Sequence, residues 1–540
     1  MKRALLMAGI LLASAAQAQP VTIAIDAEAG RRPISPLIYG VNFATAEQLA
    51  DLNAPINRTG GDSASLYNWK IDARNAGKDW FFESQACGTD IFDQHGDGFV
   101  ALSKAGGAEP MLTVPMIGWV ARLDADRKPL ASFSIGKYGL QQEFDENGFT
   151  DAGNGLTFDG TAITDNDPAD AAQPDGPAEQ RAWIDHLVEK FGKAGAGGVR
   201  YYLMDNEPSY WQGVHRDVHP VGTHAKEIAD KVIAYSEMVK SGDPGALVVA
   251  PEEWGWNAFF FSGFDQQYAA EHGWNDRTPD RQTQTGGLDY LPWLLTRWKA
   301  AGHPVDVVSV HYYPQGLEYN ASKDNLTPRA QLQRNRSTRE LWDPAYKSES
   351  WINDKVGLIP RLRKWVDTYY YPGTPIALTE YSWGAEKTMG GATAQADVTG
   401  ILGREGVDIA TRWATPETGS PAYLAMKLYR NYDGRKSTFG ETSVAAAAPD
   451  PDTVSAFAAL RGDGALTVMT INKQLDQPAA IRLSLAHFAG SGRVKMWRLA
   501  DGKLAELLPA DYAGGALQAT LPPQSVTLFV LRGQGGRDGG

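Results

Sequence analysis

Between about Ser35 and Asp433 the chain repeats one alternation: a short apolar run, then a stretch with helical periodicity. The apolar runs are Tyr39–Phe43, Pro55–Arg58, Pro110–Pro115, Val199–Met204, Ala246–Ala250, Val305–Val310, Pro375–Thr379 and Val407–Thr411. From Ala178 to Lys193, Trp183, Ile184, Leu187, Val188 and Phe191 fall on one helical face, and Gly195 ends the pattern. His224 to Lys240 repeats it with Ile228, Val232, Tyr235 and Val239, and Leu288 to Ala301 with Leu291, Leu294, Leu295 and Trp298. Strands joined through helices run parallel, and eight of them close into a (β/α)8 TIM barrel of the α/β class. A doubly wound open sheet is the competing layout, but no Gly-x-Gly-x-x-Gly follows an early strand.

After Asp433 the texture changes to period-two alternation. Ile481, Leu483 and Leu485 alternate with polar residues, and Gly462-Asp463-Gly464, Gly490-Ser491-Gly492 and Asp501-Gly502 supply turns. This predicts a C-terminal β-sandwich over 434–532, packed on the barrel because no Ser/Pro/Gly linker separates the two. The segment 19–34 carries one more strand, Val21–Asp26, a candidate member of that sandwich. Lys2 and Arg3, an apolar run to Ala13 and Ala16-Gln17-Ala18 fit a signal peptide over 1–18, which predicts secretion to the periplasm or medium. Residues 35–433 are then the catalytic barrel, and 533–540 a disordered tail. Two stretches, Asp124–Pro177 and Tyr313–Asn353, are too long for plain loops and read as functional or disordered insertions.

Composition narrows the partner. Lys and Arg total 51 against 64 Asp and Glu, a net charge of −13, which gives no electrostatic reason to bind nucleic acid or an anionic membrane. Beyond the N-terminus no 18 apolar residues run together, so no membrane span is expected. The single cysteine, Cys87, excludes a disulfide framework and a zinc ribbon.

A barrel of this kind carries its site at the C-terminal ends of its strands. The fourth strand ends in Asp205-Asn206-Glu207-Pro208 and the seventh in Thr379-Glu380-Tyr381. Two carboxylates facing one cavity are what glycoside hydrolysis needs: one protonates the leaving oxygen, the other attacks or activates water. Around them the strand ends and the segments after them supply Arg58, Trp119, Trp211, Trp254, Trp256, His311, Tyr312, Tyr313, Trp383 and Trp413. Flat aromatic faces suit the C–H faces of sugars, although a tryptophan is as often core. Of 16 tryptophans, all but Trp497 precede residue 414. A non-catalytic glycan-binding protein is the alternative from another class, and it has no use for the carboxylate pair.

Tyr39-Gly40-Val41-Asn42-Phe43, Asn57-Arg58-x-Gly60-Gly61, Tyr67-Asn68-Trp69, Asp79-Trp80-Phe81-Phe82-Glu83-Ser84, Met204-Asp205-Asn206-Glu207-Pro208, His215-Arg216-Asp217-Val218-His219-Pro220 and Glu253-Trp254-Gly255-Trp256 together resemble glycoside hydrolase family 44. The resemblance runs from about Val21 to Arg532. It implies an endo-β-1,4-glucanase or xyloglucanase on a barrel with a β-sandwich, with Glu207 as acid/base and Glu380 as nucleophile of a retaining mechanism. Arg58 would keep Glu380 charged, Tyr312 or Tyr313 would hydrogen-bond it, Asn206 would bind the sugar 2-hydroxyl, and Trp80 would join the aromatic platforms. The chain departs from the family pattern at Thr59 and Asp62, where Trp and Asn are expected. Endo-mannanase or endo-xylanase action on the same barrel stays open, because branch tolerance depends on groove width. The partner expected is a β-glucan polysaccharide, and the protein is expected to be a monomer.

No cofactor is needed for this chemistry. His215 and His219 have the spacing of a zinc helix, but Arg216 stands where the catalytic Glu belongs. Asp93-x-His95-x-Asp97-Gly98 starts like a calcium loop and fails at its twelfth position, Lys104. The resemblance implies a structural calcium, with Glu83, Asp165 and Asp167 as candidate ligands.

Overall fold

The computed structural model describes residues 20–274, 278–319 and 324–533. The expected signal peptide (1–18) and the tail from 534 onward lie outside the described residues.

Eight parallel strands close into a barrel: β1 (Gly40–Asn42), β2 (Ile56–Arg58), β3 (Glu109–Val114), β4 (Tyr201–Met204), β5 (Leu247–Glu253), β6 (Val307–Tyr312), β7 (Ile376–Tyr381) and β8 (Ile409–Arg412). Closure comes from β8 against β1, with Thr411 opposite Gly40. Helices cover the outside and side chains fill the inside, so most strand residues are buried on either face and the strands read as continuous apolar runs. Ile56, Met111, Leu203, Val249, Val307 and Ile409 form the inner layer. The amphipathic patterns become helices Pro177–Phe191, Ala225–Gly242 and Tyr290–Ala300, whose buried residues include Trp183, Ile228 and Leu294. A register shift between Pro251 and Glu253 carries β5 past the expected end at Ala250.

The second module is mostly antiparallel. The N-terminal strand Val21–Asp26 pairs antiparallel with β9 (Thr442–Ala447) and parallel with a strand at Ala479–Ala486. β9 passes from one layer to the other: Thr442–Val444 pair with β10 (Val454–Leu460), and Ala445–Ala447 with the N-terminal strand. Ile23, Ile25, Val468, Ile481, Leu483 and Phe529 meet between the layers.

Period two then splits one sheet between two cores. On β10, Val454, Ala456 and Ala458 face the sandwich interior, whereas Phe457 and Ala459 pack with the barrel core. The barrel element at this seam is the helix Met389–Glu405, buried from Gly390 to Gly403. A Cβ at Gly400 would lie 2.3 Å from the Phe457 ring, so only glycine lets sheet and helix approach this closely. Lys473 and Asp397 form an ion pair of 2.7 Å within the seam. The first insertion is ordered by short bridges such as Gln141 with Thr157 and Phe144 with Gly153, and by a small core of Phe82, Phe133 and Ile163.

Candidate active site

The strand ends converge on Arg58. Its side chain is wholly buried, and its guanidinium donates to Asn42 Oδ1 (3.0 Å), Glu380 Oε1 (2.7 Å), Asn206 Oδ1 (3.1 Å) and Glu252 Oε2 (2.9 Å). Asn42 is anchored by donating to the carbonyls of Thr379, Thr411 and Arg412. The Gly60-Gly61 pair follows from the crowding. A Cβ at Gly60 would lie 2.0 Å from the guanidinium, and one at Gly61, whose φ is +70°, would lie 2.6 Å from the Trp413 ring.

Glu207 leaves β4 through a strained turn in which Asp205 and Glu207 adopt φ of 66° and 45°. Such conformations cost roughly 1–3 kcal/mol and persist where surroundings over-determine them. Here Asp205 does so. It is buried, and its carboxylate accepts from Ser65, from the backbone N–H groups of Met116, Ile117 and Asn206, and from the Trp211 indole. The Glu207 N–H donates to the Glu252 carbonyl (3.1 Å).

His311 bridges the carboxylates. Burial opposes its charge, but Glu380, Glu207 and Glu252 outweigh that and push its pKa up to about 10. The imidazolium donates from Nδ1 to Glu207 Oε1 (2.8 Å) and from Nε2 to Glu252 Oε2 (3.3 Å). An oxygen of Glu207, an oxygen of Glu380 and a His311 nitrogen lie within 4.8 Å of one another. Tyr313 donates to Glu380 Oε2 (2.8 Å). Burial raises the Glu207 carboxyl above its ordinary range, with His311 opposing. Burial also opposes the Glu252 charge, yet Arg58 and His311 hold its pKa below the ordinary range. A cleft of about 320 Å³ opens over this cluster, lined among others by Asp62, Asp79, Glu207, Tyr313, Glu380 and Trp413.

The other expected residues divide. Asn206 lines the cleft, and Trp413 forms part of its wall beside Phe43. Trp80 is 45% exposed and lines a neighbouring cleft of about 680 Å³ that shares Arg74 and Phe92 with the first. Three expected substrate contacts turn inward instead. Trp211 is 1% exposed with its indole N–H given to Asp205 and the Asn206 carbonyl. Trp383 donates to Ser337 Oγ, and the Tyr312 hydroxyl donates to Glu340. All three are core by burial. Trp119 and Trp256 are half-buried against the main core and do not line the catalytic cleft. Glu252 was not expected. Its signal, a carboxylate after an apolar run, is the same as for Glu207, but the β5 bulge hides where that strand ends.

The calcium ligands also divide. Glu83 is buried, its Oε2 lacks a hydrogen-bond partner, and burial with Asp145 alongside pushes its pKa up to about 7. The cleft there also offers Gln85, Asp90, Asp93 and Asn147, an oxygen-rich set suited to a hard cation. Asp165 and Asp167 do not join it: both are exposed, and Asp167 caps its own turn by accepting from Ala169 N–H. His215 and His219 part as well, His215 donating to the Asp62 carbonyl while His219 pairs with Glu227.

A parallel barrel that presents two carboxylates at the C-terminal ends of β4 and β7, around a buried arginine, is built like a barrel glycosidase. The comparisons agree. The model of "Glycoside hydrolase family 44" matches residues 73–316. Endoglucanase A of Paenibacillus lautus is 31% identical over 96% of this chain and 73% of its own length. Among solved structures, CelM2, a bifunctional glucanase-xylanase from a metagenome library, superposes with a TM-score of 0.92 at 52% identity, covering 95% of this chain and 99% of that one. A xyloglucanase of Paenibacillus polymyxa from the same family, solved with xyloglucan, gives 0.78 at 29% identity over 95% and 99%. The chain belongs to glycoside hydrolase family 44 and is a glycoside hydrolase. No helix among the described residues is long and apolar enough to cross a membrane.

Proposed function

We propose that the protein is a secreted, retaining endo-β-1,4-glucanase acting on cellulose derivatives, xyloglucan and mixed-linkage glucan, with xylan as a second substrate. The observation that carries this is the approach of Glu207 and Glu380 across His311 at the barrel mouth, within 4.8 Å between facing oxygens. So short a gap suits a nucleophile beside an acid, where an inverting pair leaves room for water. Xylan is included because the 52%-identical relative is described as a glucanase-xylanase.

In the first step Glu380 Oε2 or Oε1 attacks the anomeric carbon while Glu207 protonates the leaving oxygen. Arg58 and Tyr313 fix the attacking carboxylate from either side. The proton for the leaving group resides on the hydrogen-bonded Glu207–His311 pair. Asn206, with its oxygen held by Arg58 and Gly61, presents its amide N–H to the sugar 2-hydroxyl. Glu207 then takes a proton from water, which releases the sugar from Glu380 with net retention.

The test is reducing-end release from carboxymethylcellulose, xyloglucan, mixed-linkage glucan, xylan and mannan. The glucans are expected to give internal cleavage products, xylan a slower release, and mannan none. Glu380→Gln is expected to lose on the order of 10⁴-fold or more in kcat. Glu207→Ala is expected to be rescued by azide on an activated aryl glycoside, giving a β-glycosyl azide. An α-azide, or turnover by Glu380→Gln at the wild-type rate, sinks the assignment.

The cleft at Glu83 and Asp145 is proposed to hold a structural calcium, which would neutralise two facing carboxylates and take no part in the chemistry. Added calcium is expected to raise the unfolding temperature of the wild type but not of Glu83→Gln; equal shifts would remove the site.

A further inference from the structure

Asp62 lines the cleft beside Glu207. Its surroundings hold it in place. Its Oδ1 accepts from Asn206 Nδ2 (3.3 Å), and its backbone carbonyl accepts from His215 Nε2 (2.8 Å). His215 is 1% exposed and packs on Gly77, where a Cβ would lie 2.8 Å from Nδ1. Gly77 opens the turn Gly77–Trp80 that carries Asp79 into the same cleft. One histidine therefore ties together the two elements that bring Asp62 and Asp79 face to face.

A carboxyl that faces another carboxyl ionises reluctantly, so Asp62 favours its protonated form. The other groups around Asp62 do not relieve it. Glu207 and Glu380 are further carboxyls that disfavour its ionisation, and Tyr210 is neutral. Arg74 on the same wall pairs with Asp93, and Arg58 behind Asn206 serves Glu380 and Glu252. Partial burial with Glu207 and Asp79 nearby raises the Asp62 carboxyl well above the ordinary range.

Asn206 links this pair to the reaction. Its amide oxygen takes two donors, Arg58 and the Gly61 N–H, which sets the amide plane. Asp62 takes one amide hydrogen of this cleft-lining residue, which leaves the other for a substrate hydroxyl.

We propose that Asp62 is a positioning residue of this active site: in its protonated form it donates to Asp79 and accepts from Asn206, which aims the Asn206 amide at the sugar. The proposal rests on Glu207 as the acid/base.

Asp62→Asn keeps the shape of the side chain. Its amide can accept from Asn206 and donate to Asp79, but it cannot ionise. Protonated Asp62 carries no charge either, so Asp62→Asn is expected to keep the wild-type kcat and the wild-type basic limb on carboxymethylcellulose. Asp62→Ala loses the contact to Asn206 and is expected to lie about tenfold below Asp62→Asn in kcat, with KM changed far less.

A basic limb for Asp62→Asn displaced from that of the wild type on carboxymethylcellulose overturns the proposal, because Asp62 would then carry charge. So does equal kcat for the Asn and Ala variants. Full activity of Glu207→Ala on carboxymethylcellulose would instead overturn the acid/base reading beneath it, and azide rescue of that variant tells the two failures apart.

Discussion

At the barrel–sandwich seam and at the barrel mouth the protein buries charge in opposite ways. In the seam one cation meets one anion. Lys473 Nζ pairs with Asp397 Oδ2 and donates to the Pro451 carbonyl (2.8 Å), and the remaining Asp397 acceptors take hydroxyls from Ser455 (2.5 Å) and Thr338 (2.6 Å). At the mouth three carboxylates, Glu207, Glu252 and Glu380, share Arg58 and His311, and Asp62 adds a further carboxyl nearby. A closed balance needs no mobile proton and serves assembly. An excess of carboxylates around a buried imidazole keeps a proton available, which is what an acid/base step uses.

Arg58→Met attacks this difference at its largest point. It strands Glu252 and Glu380 without their cation and releases Asn206. We expect kcat/KM to fall about 10³-fold or more, and urea unfolding to show a loss of about 3–5 kcal/mol, because a buried charge has lost its partner. Lys473→Met strands Asp397 in the same manner and should cost about 3 kcal/mol, but with kcat per folded molecule unchanged. Combining it with Asp397→Leu should recover most of that loss, since a buried pair is often replaceable by apolar side chains. A fall in kcat of the folded Lys473→Met protein would break the contrast between seam and mouth.

The address of most site residues was legible in the sequence, and their orientation was not. The eight apolar runs become the eight barrel strands, because strands buried on both faces carry long apolar stretches. Placing a residue at a strand end puts its Cα at the mouth. That rule locates Glu207, Glu380, Arg58, His311 and Tyr313 around one cleft. It says nothing of which way a side chain turns. Trp211, Tyr312 and Trp383 sit at the same addresses and pack inward, where their polar atoms find Asp205, Glu340 and Ser337. Glu252 escaped for the reverse reason: a bulge lengthens β5, so an apparent loop residue is a strand residue facing Arg58. The resemblance offered Asp165 and Glu83 alike as metal ligands, but an exposed acidic loop and a buried unsatisfied carboxyl such as Glu83 differ only in three dimensions.

The smallest effect concerns stability against pH, and it separates the two regions without touching activity. His311 has a folded pKa of about 10, above its ordinary 6.5. A group raised in this way stabilises the fold fully below pH 6.5, and that contribution is lost as pH rises from 6.5 through about 10. Glu253, which burial pushes up to about 8, titrates lower in the same window, so the informative range lies above pH 8. Between pH 8 and 10 the unfolding free energy of the wild type should fall relative to His311→Gln by on the order of 1–2 kcal/mol. That is less than about 1.36 kcal/mol per pH unit over the whole shift, because neighbouring carboxylates share the titration. Lys473→Met, altered only in the seam, should keep the full wild-type slope in this range. If His311→Gln also keeps it, the imidazole does not carry the mouth's proton, and the contrast with the seam reduces to the number of charges.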